Sequence, residues 1–85
     1  MFFFAEHRHT GETCFSQDDS KKKLFEDLIT NASENGVKIH QYLKNAPEHR
    51  FFFVLEAENY DSIHNFFMPV LTLGDIEVVP VINSI

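Results

Sequence analysis

RFFFVLEA (residues 50–57) is the most apolar stretch of the 85-residue chain. Its Phe, Val and Leu side chains favour extended backbone, so we predict a central β-strand over these residues. Successive side chains of a strand point to opposite faces of the sheet. Three consecutive phenylalanines therefore place apolar rings on both faces, and both faces of the predicted sheet need a cover.

The flanks of this strand predict further elements in both directions. Residues 37–43 alternate apolar and polar side chains, which is typical of a half-exposed strand, and Pro47 marks the turn between the two strands. On the other side, Asn59 is a candidate cap for a short helix over residues 60–68. A last strand is predicted over residues 75–82.

The first half of the chain predicts the same kinds of element. FFFAEHRH (residues 2–9) is a predicted strand with an apolar start and a polar end, followed by a polar connection over residues 10–19. Asp19 is a candidate N-cap for a helix over residues 20–32. Apolar residues recur there at helical spacing and predict one buried face: Leu24, Phe25, Leu28, Ile29 and Ala32.

The predicted order β-α-β-β-α-β is that of an α+β, ferredoxin-like domain over residues 1–85. Right-handed crossovers give a four-stranded antiparallel sheet in the strand order 4-1-3-2, with both helices on one face. The other face carries phenylalanine rings that so short a chain cannot cover. We therefore expect a second copy to cover them, as in a dimeric α+β barrel, so that the partner of the chain is itself.

Charge and composition exclude several classes of partner. The net charge is −6, with seven Lys and Arg against thirteen Asp and Glu, which argues against nucleic acid and anionic membranes. No apolar run approaches the ~20 residues that span a bilayer, and a single cysteine fits a reducing compartment. The single cysteine and the lack of a long apolar run predict a cytoplasmic protein. The three glycines form no phosphate-binding loop, so we expect no nucleotide cofactor.

Polar residues converge at one edge of the predicted sheet. Strand one runs antiparallel to strand three, so His7 and His9 lie next to His49. The loop with Glu12 and Cys14 leaves from the same edge. His7 and His9 are two residues apart on a strand, project from one face and can share a transition-metal ion.

The third ligand, which could be Cys14, Glu12 or His49, would decide which metal binds. Imidazole with the thiolate of Cys14 suits Zn or Cu, whereas imidazole with the carboxylate of Glu12 suits Fe or Mn. Two other interpretations remain open for His7 and His9: solvated residues at a strand end, or groups for acid–base chemistry.

A second polar pair lies on strand two. His40 and Tyr42 are also two residues apart and would point into the barrel, near Phe52 or Phe53. A buried histidine beside a tyrosine can give a proton to a small hydrophobic ligand. The alternative is a half-buried pair whose members satisfy each other.

Three short motifs extend over most of the chain. They are His9-Thr10-Gly11-Glu12-Thr13-Cys14, Val37-Lys38-Ile39-His40 and Pro47-Glu48-His49. In these motifs the chain resembles a family of small, uncharacterised α+β barrel proteins that share His-Thr-x-Glu-x-Cys. The resemblance implies the ferredoxin-like fold and carries no established reaction.

Three functions follow from these residues. The first is a homodimeric barrel with a metal or small-ligand site at the end of strand one. The second is a cofactor-free isomerase- or monooxygenase-like enzyme that uses His40 and Tyr42 on a small hydrophobic substrate. The third is a non-catalytic oligomerisation module.

Overall fold

A computed structural model of the chain describes residues 1–12, 14–15 and 17–85. Its elements are β1 (Phe2–Arg8), α1 (Asp19–Thr30), β2 (Lys38–Asn45), β3 (Arg50–Glu56), α2 (Tyr60–Phe67) and β4 (Asp75–Val81). Short 3₁₀ helices follow the two α-helices, over Ser33–Asn35 and Met68–Val70. The β-α-β-β-α-β order is confirmed. Thr13 and Ser16, in the predicted polar connection, lie outside the described residues.

The strands form one sheet in the order β2-β3-β1-β4, and every neighbouring pair is antiparallel. In the register of β1 and β3, Ala5 lies opposite Phe53 and His7 opposite Phe51. This is the predicted 4-1-3-2 order, and the fold is ferredoxin-like. None of the helices in the described part of the chain is long and apolar enough to cross a bilayer.

One hydrophobic core lies between the sheet and the two helices. Alternate residues of β1 and β3 supply its floor, because every second side chain of a strand points to the same face. The helices supply its cover. The fully or nearly fully buried members are Phe3, Ala5, Phe53 and Leu55 from the sheet and Phe25, Leu28, Ile63, Phe66 and Phe67 from the helices.

The helix boundaries follow the capping chemistry with one shift. Asn59 caps α2 as predicted, since its side chain accepts a hydrogen bond from the Ser62 N–H at 3.0 Å. The cap of α1 is Asp18, which accepts from the Lys21 N–H at 3.1 Å, so the prediction of Asp19 was wrong by one residue. Leu24 is exposed, because the face of α1 toward the sheet is centred on residues 25 and 28.

A β-bulge interrupts the pairing of β2 with β3. Ile39 lies opposite Leu55 and Gln41 opposite Val54, which leaves His40 as an extra residue between them. An extra residue shifts the side-chain alternation by one position from that point onward. The predicted placement of His40 and Tyr42 on one face is therefore wrong.

Their contacts show the two faces directly. The Tyr42 ring stacks on the core ring of Phe53, with 4.7 Å between centroids. His40 lies on the face without helices, where its Nε2–H donates to Glu56 Oε1 at 2.8 Å and its ring is 5.2 Å from that of Phe2. The two residues cannot act on one ligand from the same side of the sheet.

Candidate functional site

His9, Cys14 and His49 come together at the end of the sheet where β1 stops and β3 starts. One ligand atom from each, an imidazole nitrogen or the thiol sulfur, lies within 4.8 Å of the other two. All three side chains are partly buried. The convergence of the end of strand one with the start of strand three is thus as predicted. We call these three residues the triad.

Backbone hydrogen bonds set the position of the two histidines. The His9 N–H donates to the His49 carbonyl oxygen at 3.1 Å, one residue beyond the end of β1. The His49 N–H in turn donates to the Ala46 carbonyl oxygen at 3.0 Å and closes the turn of the β2–β3 hairpin. The two imidazole rings lie 5.1 Å apart between centroids.

His49 has a left-handed backbone conformation, with φ of 56°. Side chains with a Cβ adopt this region at a cost of about 1–2 kcal/mol, which the surrounding turn must offset. The conformation is uncommon outside glycine. In this turn it belongs to the residue whose imidazole joins the triad.

His9 is enclosed by aromatic rings. Its ring centroid lies 4.9 Å from that of Phe15 and 5.6 Å from that of Phe51. Burial is the main cause that lowers the pKa of His9, and the proximity of His49 lowers it further. The imidazole therefore stays neutral, and able to bind a metal, to a lower pH than an ordinary histidine. Its Nδ1 atom is buried and has no hydrogen-bond partner among the described residues.

The structure does not place His7 in the triad. His7 follows Phe3 and Ala5 in the alternation of β1, so it lies under the helices and is fully buried. Its Nε2–H donates to the Leu73 carbonyl oxygen at 3.0 Å. Burial lowers the pKa of His7, which keeps the ring neutral.

His7 therefore packs against the triad from the core side. Its ring stacks on that of Phe51 and lies 5.4 Å from that of His9. The predicted ligand pair of His7 and His9 shares one face of the strand, but only His9 belongs to the group of converging donor atoms. Glu12 is exposed and also lies outside that group.

A pocket of about 650 Å³ opens beside the triad, between α1 and the β2–β3 hairpin. The triad residues are part of its lining. The rest comes from α1, from the connection before it and from the hairpin. The residues that matter for recognition are Phe15, Lys22, Phe25, Tyr42, Lys44 and Phe51. Pockets of this size, with apolar walls and few polar groups, are typical sites for small molecules.

Tyr42 contributes a phenol group to the pocket wall. Burial raises the pKa of its phenol to about 12, so the group is a neutral hydrogen-bond donor at neutral pH. His40 is separated from it by the sheet. On that far side, the hydrogen bond from His40 lowers the pKa of Glu56.

Sequence reasoning missed the two pocket lysines and the aromatic walls. One signal for them was present in the sequence: Phe51 is two residues before Phe53, and Lys44 is two residues after Tyr42, so each shares a face with its neighbour. The contribution of α1 required the packing of the helix on the sheet.

The comparisons with known proteins agree with this architecture. Over residues 1–85 the chain matches the family described as Domain of unknown function (DUF3303). The chain belongs to this family. No curated protein sequence matches it. That the members of this family share the His-Thr-x-Glu-x-Cys motif remains a prediction.

Solved structures with the same fold add a context for the DUF3303 chain. It is similar to SCO4226 from Streptomyces coelicolor A3(2), with 13% identity, a TM-score of 0.62 and coverage of 98% of this chain and 100% of that one. An antibiotic biosynthesis monooxygenase is 11% identical, with a TM-score of 0.57 and coverage of 96% and 98%.

A candidate antibiotic biosynthesis monooxygenase from Deinococcus radiodurans is 12% identical, with a TM-score of 0.52 and coverage of 99% and 94%. At such identities these similarities show the fold alone.

Proposed function

We propose that this DUF3303 protein binds a transition-metal ion through His9, Cys14 and His49. The observation that carries the proposal is the approach of three donor atoms within 4.8 Å of one another from separate parts of the chain. Ligands of a tetrahedral zinc ion lie about 3.3–3.6 Å apart, since Zn–N and Zn–S bonds are about 2.1 and 2.3 Å. The donor atoms would approach one another by up to about 1.5 Å to reach this geometry.

The donor set favours zinc or copper over iron or manganese. Two imidazoles and a thiolate are the ligands that Zn and Cu prefer, and a carboxylate would be needed to favour Fe or Mn. Glu12, the carboxylate considered from the sequence, lies outside the triad. Three protein ligands leave a fourth position for water or a ligand, which is the arrangement of catalytic rather than structural zinc sites.

Two features of the free protein support binding. The backbone hydrogen bond between His9 and His49 holds the two imidazoles together before an ion arrives. The buried Nδ1 of His9 lacks a hydrogen-bond partner among the residues the structure describes, and a buried polar atom of this kind costs about 1–3 kcal/mol. A ligand at this nitrogen would remove that cost.

Thermal unfolding with and without metal tests the proposal. Zinc at about 100 times its Kd should stabilise the protein by about 2.7 kcal/mol. Protein without an affinity tag is stripped with EDTA and titrated with Zn²⁺, Cu²⁺, Fe²⁺ and Mn²⁺. We expect His9→Ala to abolish the zinc increment in melting temperature and Cys14→Ser to reduce it strongly. His64→Ala is the matched control, because His64 is exposed on α2.

A small affinity loss in Cys14→Ser, with a larger one in Glu12→Gln, would instead assign the third ligand to the carboxylate. If none of the four metals shifts the melting curve of the wild type, the metal proposal is wrong.

A metal-free oxygenase is the second candidate, and the pocket with Tyr42 favours it together with the fold shared with antibiotic biosynthesis monooxygenases. In such a reaction an activated CH2 group becomes C=O. One oxygen atom of O2 stays in the product, and the other leaves as water with the two hydrogens. The substrate thus supplies all the electrons.

Oxygen uptake with anthrone, whose CH2 lies between two aromatic rings, tests this candidate. Tyr42→Phe should lower the rate if the pocket is the site. A loss in His40→Ala instead would assign the reaction to the other face of the sheet, inside the barrel expected from the sequence. No uptake in EDTA-treated wild type would exclude the candidate for this substrate.

Self-association is the third part of the proposal, and the sheet face without helices supports it. Phe4, Leu43, Val79 and Val81 on this face are 39–54% exposed. Exposed apolar patches of several hundred Å² mark interaction surfaces. Two acids, Glu6 and Glu77, lie opposite each other on this face. Glu6 is paired with Arg50 at 2.8 Å and with Arg8 at 3.1 Å, and Glu77 with Arg8 at 3.5 Å, so a partner need not neutralise them.

Analytical ultracentrifugation tests whether a second copy covers this face. We expect a dimer at micromolar concentration and a monomer for Phe4→Glu. Met68→Glu is the control, since Met68 is 50% exposed on the helix side. A monomeric wild type would exclude the dimer.

A further inference from the structure

The pocket has aromatic walls, and two of the rings in one wall are nearly parallel. The rings of Phe15 and Phe25 stack with 5.0 Å between centroids and 7° between planes. Phe51 meets Phe25 edge to face at 5.2 Å. Tyr42 closes the wall on the β2 side, 5.9 Å from Phe51. Aromatic faces and edges of this kind favour a flat, aromatic ligand.

The rim of the pocket is positively charged. The Lys44 ammonium lies over the Tyr42 and Phe51 rings, 5.5 and 5.7 Å from their centroids. Neither Lys44 nor Lys22 forms an ion pair with a residue that the structure describes, whereas Lys23 on the same helix pairs with Asp27 at 3.0 Å. Glu26 is the one carboxylate among the described lining residues.

The charges therefore favour an anionic ligand. Two lysines against one glutamate leave one excess positive charge at the pocket (two minus one). A zinc ion held by two neutral imidazoles and one thiolate would add another. A carboxylate can accept charge-assisted hydrogen bonds from a lysine, and these are roughly twice as strong as neutral ones.

We infer that the pocket binds a planar aromatic carboxylate, with its rings among Phe15, Phe25, Phe51 and Tyr42 and its carboxylate toward Lys44 and the triad. A pocket of about 650 Å³ has room for at least two fused rings. The placement of the carboxylate near the fourth position of the metal rests on the proposed function. The preference for an anion rests on the lysines and can be measured without the metal.

Binding of 2-naphthoate, compared with the neutral 2-naphthylmethanol, tests the inference. The two probes share their rings and differ in charge, and the fluorescence of either reports binding. We expect the wild type to bind 2-naphthoate about tenfold more tightly than the alcohol. Added salt should weaken naphthoate binding and leave the alcohol unchanged.

Lysine variants localise the preference. Lys44→Met keeps an unbranched side chain over the Tyr42 ring and removes the charge, so it should lose most of the naphthoate preference. Lys22→Gln should lose part of it. Lys23→Gln is the matched control and should bind both probes as the wild type does. Equal affinities for the two probes, or an unchanged preference in both Lys44→Met and Lys22→Gln, would overturn the inference. So would an absence of saturable naphthoate binding at millimolar concentration.

The same measurements with zinc-loaded and EDTA-treated protein separate this inference from the metal proposal. If zinc fails to bind and the lysine-dependent preference persists, the ligand class stands and the metal proposal is wrong. If zinc stabilises the protein through the triad and the probes bind equally, the metal proposal stands and the ligand class is wrong.

Discussion

The backbone N–H of His9 donates to the carbonyl oxygen of His49 across 3.1 Å, although the two residues are 40 positions apart in the chain. This bond extends the pairing of β1 with β3 by one step past the last strand residue. It joins the end of the first strand to the β2–β3 turn. The proximity of His9 and His49 is therefore a consequence of strand pairing, and changes in the turn should affect stability as well as metal binding.

His49→Ala and His49→Gly form a pair that tests the cost of the turn. Both variants remove the imidazole and differ only in the Cβ atom, which is unfavourable at the φ of 56°. We expect the glycine variant to be more stable than the alanine variant by about 1 kcal/mol. Urea denaturation without metal measures the difference. A more stable alanine variant would contradict the left-handed turn.

Gly74 is predicted to be intolerant of any side chain. A Cβ there would lie 2.4 Å from the Arg8 carbonyl oxygen and 2.8 Å from His7 Nε2, and the φ of 145° is itself unfavourable for other residues. The backbone oxygen cannot move aside, because Arg8 is paired within the sheet. We expect Gly74→Ala to lower the free energy of unfolding by about 2–3 kcal/mol.

Gly11→Ala is the control for this prediction. A Cβ at Gly11 would have no heavy atom of a described residue within 4 Å, so the change should stay within about 0.5 kcal/mol. Chemical denaturation of both variants at one pH gives the comparison. Equal stabilities of the two variants would show that the loop before β4 can move away from His7.

The buried His7 should make the protein sensitive to acid. Burial lowers its pKa in the folded protein below the unfolded value of about 6.5. Between the two pKa values the unfolded chain binds more protons, so stability is full above about pH 6.5 and decreases as the pH falls below it. The free energy of unfolding at pH 5 and pH 7.5 should show this loss.

His7→Gln tests the assignment of this loss. Its amide can replace the Nε2–H donor to Leu73 and does not titrate. We expect lower stability at pH 7.5 but a smaller loss on acidification than in the wild type. The exposed His64→Gln should keep the wild-type loss. An unchanged pH dependence in His7→Gln would assign the titration to other groups, His9 first.

The sequence was sufficient for the fold because the pattern and the packing agree. All six predicted strands and helices are present, and Asn59 caps α2 as predicted. The convergence of residues 9 and 49 followed from strand order alone. Antiparallel pairing of strands one and three leaves no other arrangement for these ends.

The site could be predicted only in part, because the sequence pattern does not reveal the β-bulge in β2 or the burial of His7. The bulge at His40 reverses the face of every later residue in β2, and a strict alternation contains no sign of it. His7 continues the alternation of Phe3 and Ala5 and is buried with them, although a polar side chain near a strand end is typical of an exposed edge.

The pH dependence of zinc affinity tests the ligand set as a whole. Protons compete with the metal for each donor, so affinity should fall as the pH drops below about 6.5, the unperturbed value for imidazole. For His9 the fall should come at lower pH, because burial lowers its pKa. A protonated Cys14 thiol must also lose its proton on binding, so affinity should rise from pH 7 to pH 8, by at most about tenfold per pH unit. Competition with a chromogenic chelator measures the affinity at each pH.

Two variants test the role of the thiol. In Cys14→Ser the rise in affinity from pH 7 to 8 should disappear while the loss of affinity in acid remains, and in the exposed control His64→Ala both should persist. A wild-type affinity that is flat between pH 7 and 8 would mean that no thiol is deprotonated on binding, and Cys14 would then not be a metal ligand.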